Sequence, residues 1–252
     1  MELKGLQFEK KGHIGILTLN RPEKMNILDH RGIEEMDRFL TELEFDTDIR
    51  CLVLTGKGKA FCAGADVGTE ASCGPYEIEY FSHIGKNLME KIACFRAPVI
   101  GAINGHALGG GLEMTLSCDY RIASERASFG SPEITLSTLA GWGGVQKLAS
   151  VIGKSQAKRL LFTGMRIRAD EALRLGLVDE VKASEEVLPA ALEMAETISG
   201  MAPLAMELMK KAIREGKDFN VKEIGQLYVT EDSKEAYAAF MEKRPNRGYH
   251  RR

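Results

Sequence analysis

Asn104-Gly105-His106-Ala107-Leu108-Gly109-Gly110-Gly111-Leu112-Glu113 is the stretch on which the fold turns. Just before it, Pro98-Val99-Ile100-Gly101-Ala102-Ile103 reads as a buried strand, and Leu112-Glu113-Met114-Thr115-Leu116 at its end is helix-competent. The glycines therefore mark a tight strand-to-helix turn. Such a turn leaves unpaired backbone N–H groups at the helix start and lets a ligand approach the main chain closely. Glu113 falls in the first helical turn, where the macrodipole favours a carboxylate. Phe129-Gly130-Ser131-Pro132-Glu133 places a second carboxylate 20 residues on, behind a proline bend. Upstream, Ala60-Phe61-Cys62-Ala63-Gly64-Ala65-Asp66 adds another glycine-flanked segment. Two carboxylates to move protons and backbone amides to hold an oxyanion describe a site for acid–base chemistry on a carbonyl compound.

Outward from this centre, strand-like and helix-like segments alternate. Ile14 to Leu19, Cys51 to Thr55 and Tyr120 to Ala123 are short apolar strand runs. Ile33, Met36, Phe39, Leu40 and Leu43 recur at helical spacing. Apolar strands separated by helices predict a sheet buried on both faces, hence an α/β class. The small-residue stretch from Gly68 to Pro75 reads as a mobile loop, either a surface connection or a flap beside the ligand. After about Val187 the pattern is helical: Ala190 to Ser199, Met206 to Arg214 and Val221 to Glu242, with Pro203 opening one helix. This predicts a body over 1–189 and a helical segment over 190–252, whose apolar faces need a partner.

With 252 residues, 44% hydrophobic and 28% charged, the chain has the composition of a soluble globular protein. With a formal net charge of -2, nothing global argues for nucleic acid or a membrane as a partner. The charged N-terminal stretch lacks the apolar core of a secretory signal, and no apolar run is long enough to span a membrane. Five cysteines form no Cys-x-x-Cys pair and no His-Glu-x-x-His occurs, so no metal is expected. An odd cysteine count without a signal reads as reduced thiols in a cytoplasmic protein. Neither phosphate-loop pattern is present; Gly153-Lys154-Ser155 has Leu148 where a glycine is required.

In order along the chain come Leu19-Asn20-Arg21-Pro22 with Asn26, Val53-Leu54-Thr55-Gly56, Ala60 to Asp66, Ala97-Pro98-Val99-Ile100, Asn104 to Gly111, Cys118-Asp119, Phe129 to Glu133, Gly141-Trp142-Gly143-Gly144, Leu161-Phe162-Thr163-Gly164 and Gly176-Leu177-Val178. Through these motifs the chain resembles the enoyl-CoA hydratase/isomerase (crotonase) family over essentially its whole length. The resemblance implies a spiral of β-β-α units with a helical C-terminal trimerisation segment. It implies a homo-oligomer, a trimer or a dimer of trimers. It also implies a coenzyme A thioester as substrate, with no separate cofactor.

By motif, the two amides that grip the thioester oxygen map to Ala65 and Gly110. Ala63, Asp66, Val67, Gly109 and Trp142 map to the substrate-binding surface. Relatives that hydrate a trans-2-enoyl thioester resemble this chain in keeping both glutamates, so the resemblance implies an enoyl-CoA hydratase with Glu113 and Glu133 catalytic. The alternatives are an enoyl-CoA isomerase, a hydratase of cyclic or dienoyl thioesters, and a non-catalytic CoA- or RNA-binding scaffold. The scaffold is disfavoured because both glutamates are present and basic residues gather only in the last ten positions. Departures from the common pattern are Ile27, Ser137, Ala140, Val145 and Lys147. Trp142 reads either as an acyl-pocket wall or as core. The basic tail from Lys243 to Arg252 reads either as a frayed end or as a contact for the nucleotide end of CoA.

Overall fold

A computed structural model of the chain describes residues 3–218 and 220–251. β1 (Leu6–Lys11) pairs antiparallel with β2 (Ile14–Leu19). The chain then turns into α1 (His30–Glu44). Asp29 caps this helix by accepting from the Gly32 N–H at 2.8 Å, and Ile33, Met36, Leu40 and Leu43 form its buried stripe.

From there a unit repeats. A longer strand enters one sheet, a short strand enters a second, and helical structure carries the chain to the next level. β3 (Cys51–Gly56) and β4 (Ala60–Cys62) lead to α2 (Val67–Ser72) and α3 (Pro75–Cys94). β5 (Val99–Ile103) and β6 (His106–Leu108) lead to α4 (Gly110–Thr115). β7 (Tyr120–Ser124) and β8 (Ser128–Gly130) lead to a 3-10 turn over Pro132–Leu136 and then α5 (Gly144–Ile152). α6 (Lys154–Thr163), β9 (Arg166–Arg168), α7 (Ala169–Arg174) and β10 (Glu180–Lys182) complete the body. The longer strands, with the short β10 at one edge, form a six-stranded sheet in the order β1-β2-β3-β5-β7-β10, parallel from β2 onward. The short ones form the four-stranded sheet β4-β6-β8-β9. The result is the spiral of β-β-α units that the resemblance implies.

Alternation along the long strands separates two cores. Leu17, Leu19, Leu52, Leu54 and Ile103 face inward with Phe61 and Phe129 of the second sheet. Ile14, Ile16, Cys51, Val53, Ile100 and Ala102 face the other way. There they meet Val187, Ala191 and Ala195 of α8 (Val187–Ser199). Each fully buried Leu or Ile contributes about 2 kcal/mol. α9 (Pro203–Glu215), α10 (Val221–Tyr228) and α11 (Glu231–Met241) follow.

Two expectations are corrected. The stretch from Gly68 to Pro75 is not a loop. The Asp66 carboxylate accepts from Gly68 and Thr69 N–H and starts α2, and Pro75 sits in the first turn of α3 with Glu77 reaching back to the Gly74 N–H at 2.7 Å. The segment from Val221 to Glu242 is two helices. It breaks because the Thr230 hydroxyl caps α11, accepting from Ser233 N–H at 3.1 Å. The basic tail up to Arg251 is tied down: Asp232 accepts from the His250 and Arg251 amides, and Arg251 pairs with Glu207 at 2.6 Å.

Candidate active site

The site forms where β6 ends and α4 begins. Gly109 turns the chain with φ 53 and ψ -124, a region reserved for glycine. Its N–H donates to the Gly130 carbonyl of β8 at 2.9 Å, and its carbonyl accepts from the Glu113 N–H at 3.0 Å. Gly110 is the first residue of α4, so its N–H has no partner within the helix.

Opposite this turn lies the segment after β4. Leu28 bonds to both neighbours of Ala65: its N–H donates to Gly64 O at 2.8 Å, and its carbonyl accepts from Asp66 N–H at 3.0 Å. Peptide groups alternate along an extended segment, so the Ala65 N–H points to the side away from Leu28. Gly64, with φ 99, lies against the glycine turn. A Cβ built on it would sit 2.7 Å from Leu108 O and 3.0 Å from the Gly110 nitrogen. The fold thus brings the Ala65 and Gly110 segments into contact. Ala63 lies in the same strip, its N–H held by Met25 O at 3.0 Å. Val67, the first residue of α2, is exposed, and the Asp66 carboxylate is engaged in capping that helix.

Glu113 is buried, 2% exposed, on α4. Its Oε1 accepts from the backbone N–H of Trp142 at 2.8 Å and of Gly144 at 2.7 Å. Burial pushes its carboxyl up to about 7; the Gly144 N–H opposes this, the Glu133 charge adds to it, and the Trp142 N–H and Lys147 oppose it. Glu133, half-buried in the 3-10 turn, accepts from the Ser131 hydroxyl at Oε2, 2.6 Å away. Its other oxygen lies over the glycine turn: a Cβ built on Gly109 would meet Oε1 at 2.9 Å. Glu70 of α2 is in the same field. Burial first, then the charges of Glu133 and Asp66, raise its carboxyl.

Trp142 is 4% exposed, and its ring packs against two glycine backbones. A Cβ on Gly110 or Gly85 would come 2.3 or 2.2 Å from indole atoms. The Phe81 ring packs on it in a T-shaped arrangement, with centroids 5.7 Å apart. The indole is therefore both core and the floor beneath Gly110.

The structure joins Glu113, Glu133, Ala63, Ala65, Gly109, Gly110 and Trp142 in one place. Sequence reasoning missed Ser131 and the two amides that hold Glu113. The only trace of the amides is the Gly141-Trp142-Gly143-Gly144 run, in which Gly143, at φ 102, turns the chain into α5. A buried carboxylate, a second carboxylate across a glycine turn, and amides at a helix start form an arrangement that moves protons next to a carbonyl while holding negative charge on its oxygen.

A family profile described as enoyl-CoA hydratase/isomerase matches residues 9–248. The chain is 40% identical to the short-chain-enoyl-CoA hydratase of Clostridium acetobutylicum, over the full length of both. It is 37% identical to the crotonyl-CoA hydratase of Syntrophomonas wolfei, with 97% of each chain covered. Among solved structures, the enoyl-CoA hydratase from Bacillus anthracis superposes with a TM-score of 0.92 at 37% identity, covering 99% of this chain and 100% of that one.

Proposed function

Since the chain belongs to the enoyl-CoA hydratase/isomerase family, we propose that it is an enoyl-CoA hydratase that works through Glu113 and Glu133. The reaction is the reversible addition of water to a trans-2-enoyl-CoA, giving a 3-hydroxyacyl-CoA. The observation that carries this reading is the pair of carboxylates at the glycine turn, Glu133 lying over Gly109 and Glu113 on the helix that the turn starts, one fixed by a hydroxyl and the other by two amides.

In this reading the thioester oxygen accepts hydrogen bonds from the Ala65 and Gly110 N–H groups. Charge develops on that oxygen as water attacks, so each preorganised donor is worth about 3 kcal/mol in the transition state. Glu113, ionised, takes the proton from the water as its oxygen bonds to the β-carbon. Glu133, protonated, gives a proton to the α-carbon. Burial raises the Glu113 carboxyl to about 7; against it, two amide donors and Lys147 favour its charge, whereas Glu133 has the Ser131 hydroxyl. Ala63, Asp66, Val67, Gly109 and Trp142 shape the surface around the acyl chain.

The substrate is the acyl-CoA itself and no separate cofactor is required. A homotrimer or a dimer of trimers, with residues 190–252 as the oligomerisation segment, accounts for the exposed Ile213, Val221, Tyr228, Val229, Phe240 and Met241. No described helix is long and apolar enough to cross a membrane. We place the enzyme in the cytoplasm and in fatty-acid β-oxidation.

The test is loss of enoyl absorbance when crotonyl-CoA is mixed with wild type, Glu113→Gln and Glu133→Gln. We expect rapid loss with wild type and a fall of about a hundredfold or more in each variant. A wild type that leaves crotonyl-CoA untouched but isomerises a 3-enoyl thioester would replace this reading with the isomerase.

A further inference from the structure

One half-buried cation beside Glu113 makes no contact with the reacting groups in the proposed chemistry. Lys147, half-buried on α5, donates to the Ser117 hydroxyl at 2.8 Å and to the Met89 carbonyl of α3 at 3.3 Å. Ser117 is buried and in turn donates to the Glu113 carbonyl at 2.8 Å. The donors run one way, from ammonium to hydroxyl to carbonyl, which is the order that a charged lysine imposes.

Lys147 also shares α5 with Gly144, three residues earlier, whose N–H holds the Glu113 carboxylate at 2.7 Å. Both ends of Glu113 are therefore tied to one helix: the carboxylate through Gly144 and the main-chain carbonyl through Ser117 and Lys147. A surface lysine in this position would lose its ammonium to solvent. Here the long stem is packed inward and its head is delivered to the back of the carboxylate-bearing turn.

We propose that Lys147 is a positioning residue for the reaction: acting through Ser117, it fixes the Glu113 turn against α5 and sets a positive charge behind the Glu113 carboxylate. The proposal rests on the reading of Glu113 as the ionised partner of the pair. The groups that face this arrangement are Glu133 on the glutamate side, Glu90 and Cys94 from α3, and Cys118 after α4. Burial lowers the Lys147 ammonium, and the charges of Glu90 and Glu113 raise it in return. Removing the lysine takes away a cation that favours ionised Glu113, so the Glu113 titration moves to higher pH.

The test is the pH dependence of kcat and kcat/KM on crotonyl-CoA for wild type, Lys147→Met, Lys147→Arg and Ser117→Ala. In Lys147→Met we expect kcat to fall about tenfold and KM to stay within about twofold. The acidic limb should move up by about 0.5 to 1 pH unit. Lys147→Arg keeps the cation and should return the limb to its wild-type place. Ser117→Ala cuts the relay but keeps the charge, so kcat should drop with less than half of the limb shift. An unmoved limb in Lys147→Met overturns the proposal. So does a limb that Lys147→Arg fails to restore. If Lys147→Met does not fold, a Ser117→Ala variant with wild-type kcat overturns it as well. Wild type inert on crotonyl-CoA would instead remove the hydratase reading itself.

Discussion

Glu133 Oε1 occupies the space where a side chain on Gly109 would begin, 2.9 Å from a Cβ built there. The turn that supplies the Gly110 amide and the carboxylate that faces it are thus fitted to each other through a missing methyl group. Gly109→Ala introduces that methyl at φ 53, where an alanine is strained by about 1 to 3 kcal/mol. It also displaces Glu133. We expect stability to fall by that amount in urea titration and crotonyl-CoA hydration to fall at least tenfold. Activity within twofold of wild type would show that Glu133 need not stand where it does.

Glu113 carries a cost in stability. Its carboxyl is raised from 4.5 to about 7, chiefly by burial. For a raised acid, the associated stability is fully present below the unfolded pKa and is lost as pH rises through the folded one. Glu113→Gln keeps an Oε1 that accepts from Trp142 and Gly144 and removes the buried charge. The variant should match wild type near pH 4 and exceed it by about 1 to 3 kcal/mol at pH 8, while losing activity. Urea midpoints across pH decide this. A variant less stable than wild type at pH 8 would mean that the carboxylate is worth more than its desolvation costs.

Ser137 ends the 3-10 turn in the left-handed region, at φ 58. A glycine would adopt this conformation without strain. A non-glycine residue there costs about 1 kcal/mol, and the extra freedom of glycine in the unfolded chain offsets part of the gain from replacing it. Ser137→Gly should raise stability by about 0.5 kcal/mol, read as a higher urea midpoint with an unchanged slope. A lower midpoint would place the strain elsewhere in the turn.

Much of the site was legible because its parts are local. The glycine run, the first-turn position of Glu113 and the proline before Glu133 are each decided within a few residues. The second sheet was not legible. β4, β6 and β8 have three residues each, too few for alternation to register. α2 was hidden by its composition, and only the side-chain cap from Asp66 makes a helix of Val67–Ser72. The amides of Trp142 and Gly144 lie 29 and 31 residues from Glu113, and a backbone donor leaves no residue type to notice. The link from Lys147 through Ser117 depends on three helices meeting, which no local pattern encodes.

Asn26 supports the Ala65 side of the site from behind. It is 2% exposed and stands at φ 56. Its Nδ2 lies 3.0, 2.8 and 3.1 Å from the carbonyls of Lys57, Ala60 and Phe61, and its Oδ1 accepts from the Arg21 N–H at 2.9 Å. These carbonyls belong to β4 and its approach, the segment that delivers Ala63, Gly64 and Ala65. Removing the amide leaves buried carbonyls short of a donor, at about 1 to 3 kcal/mol, and a side chain other than glycine adds left-handed strain. Asn26→Gly isolates the first effect, and Asn26→Ala combines both. We expect Asn26→Gly to lose about 2 kcal/mol and Asn26→Ala about 1 kcal/mol more, measured by urea titration. If the amide positions Ala65, crotonyl-CoA turnover should fall in both variants by a similar factor, because both lose the same hydrogen bonds. Turnover that instead follows the difference in stability would assign Asn26 to folding alone.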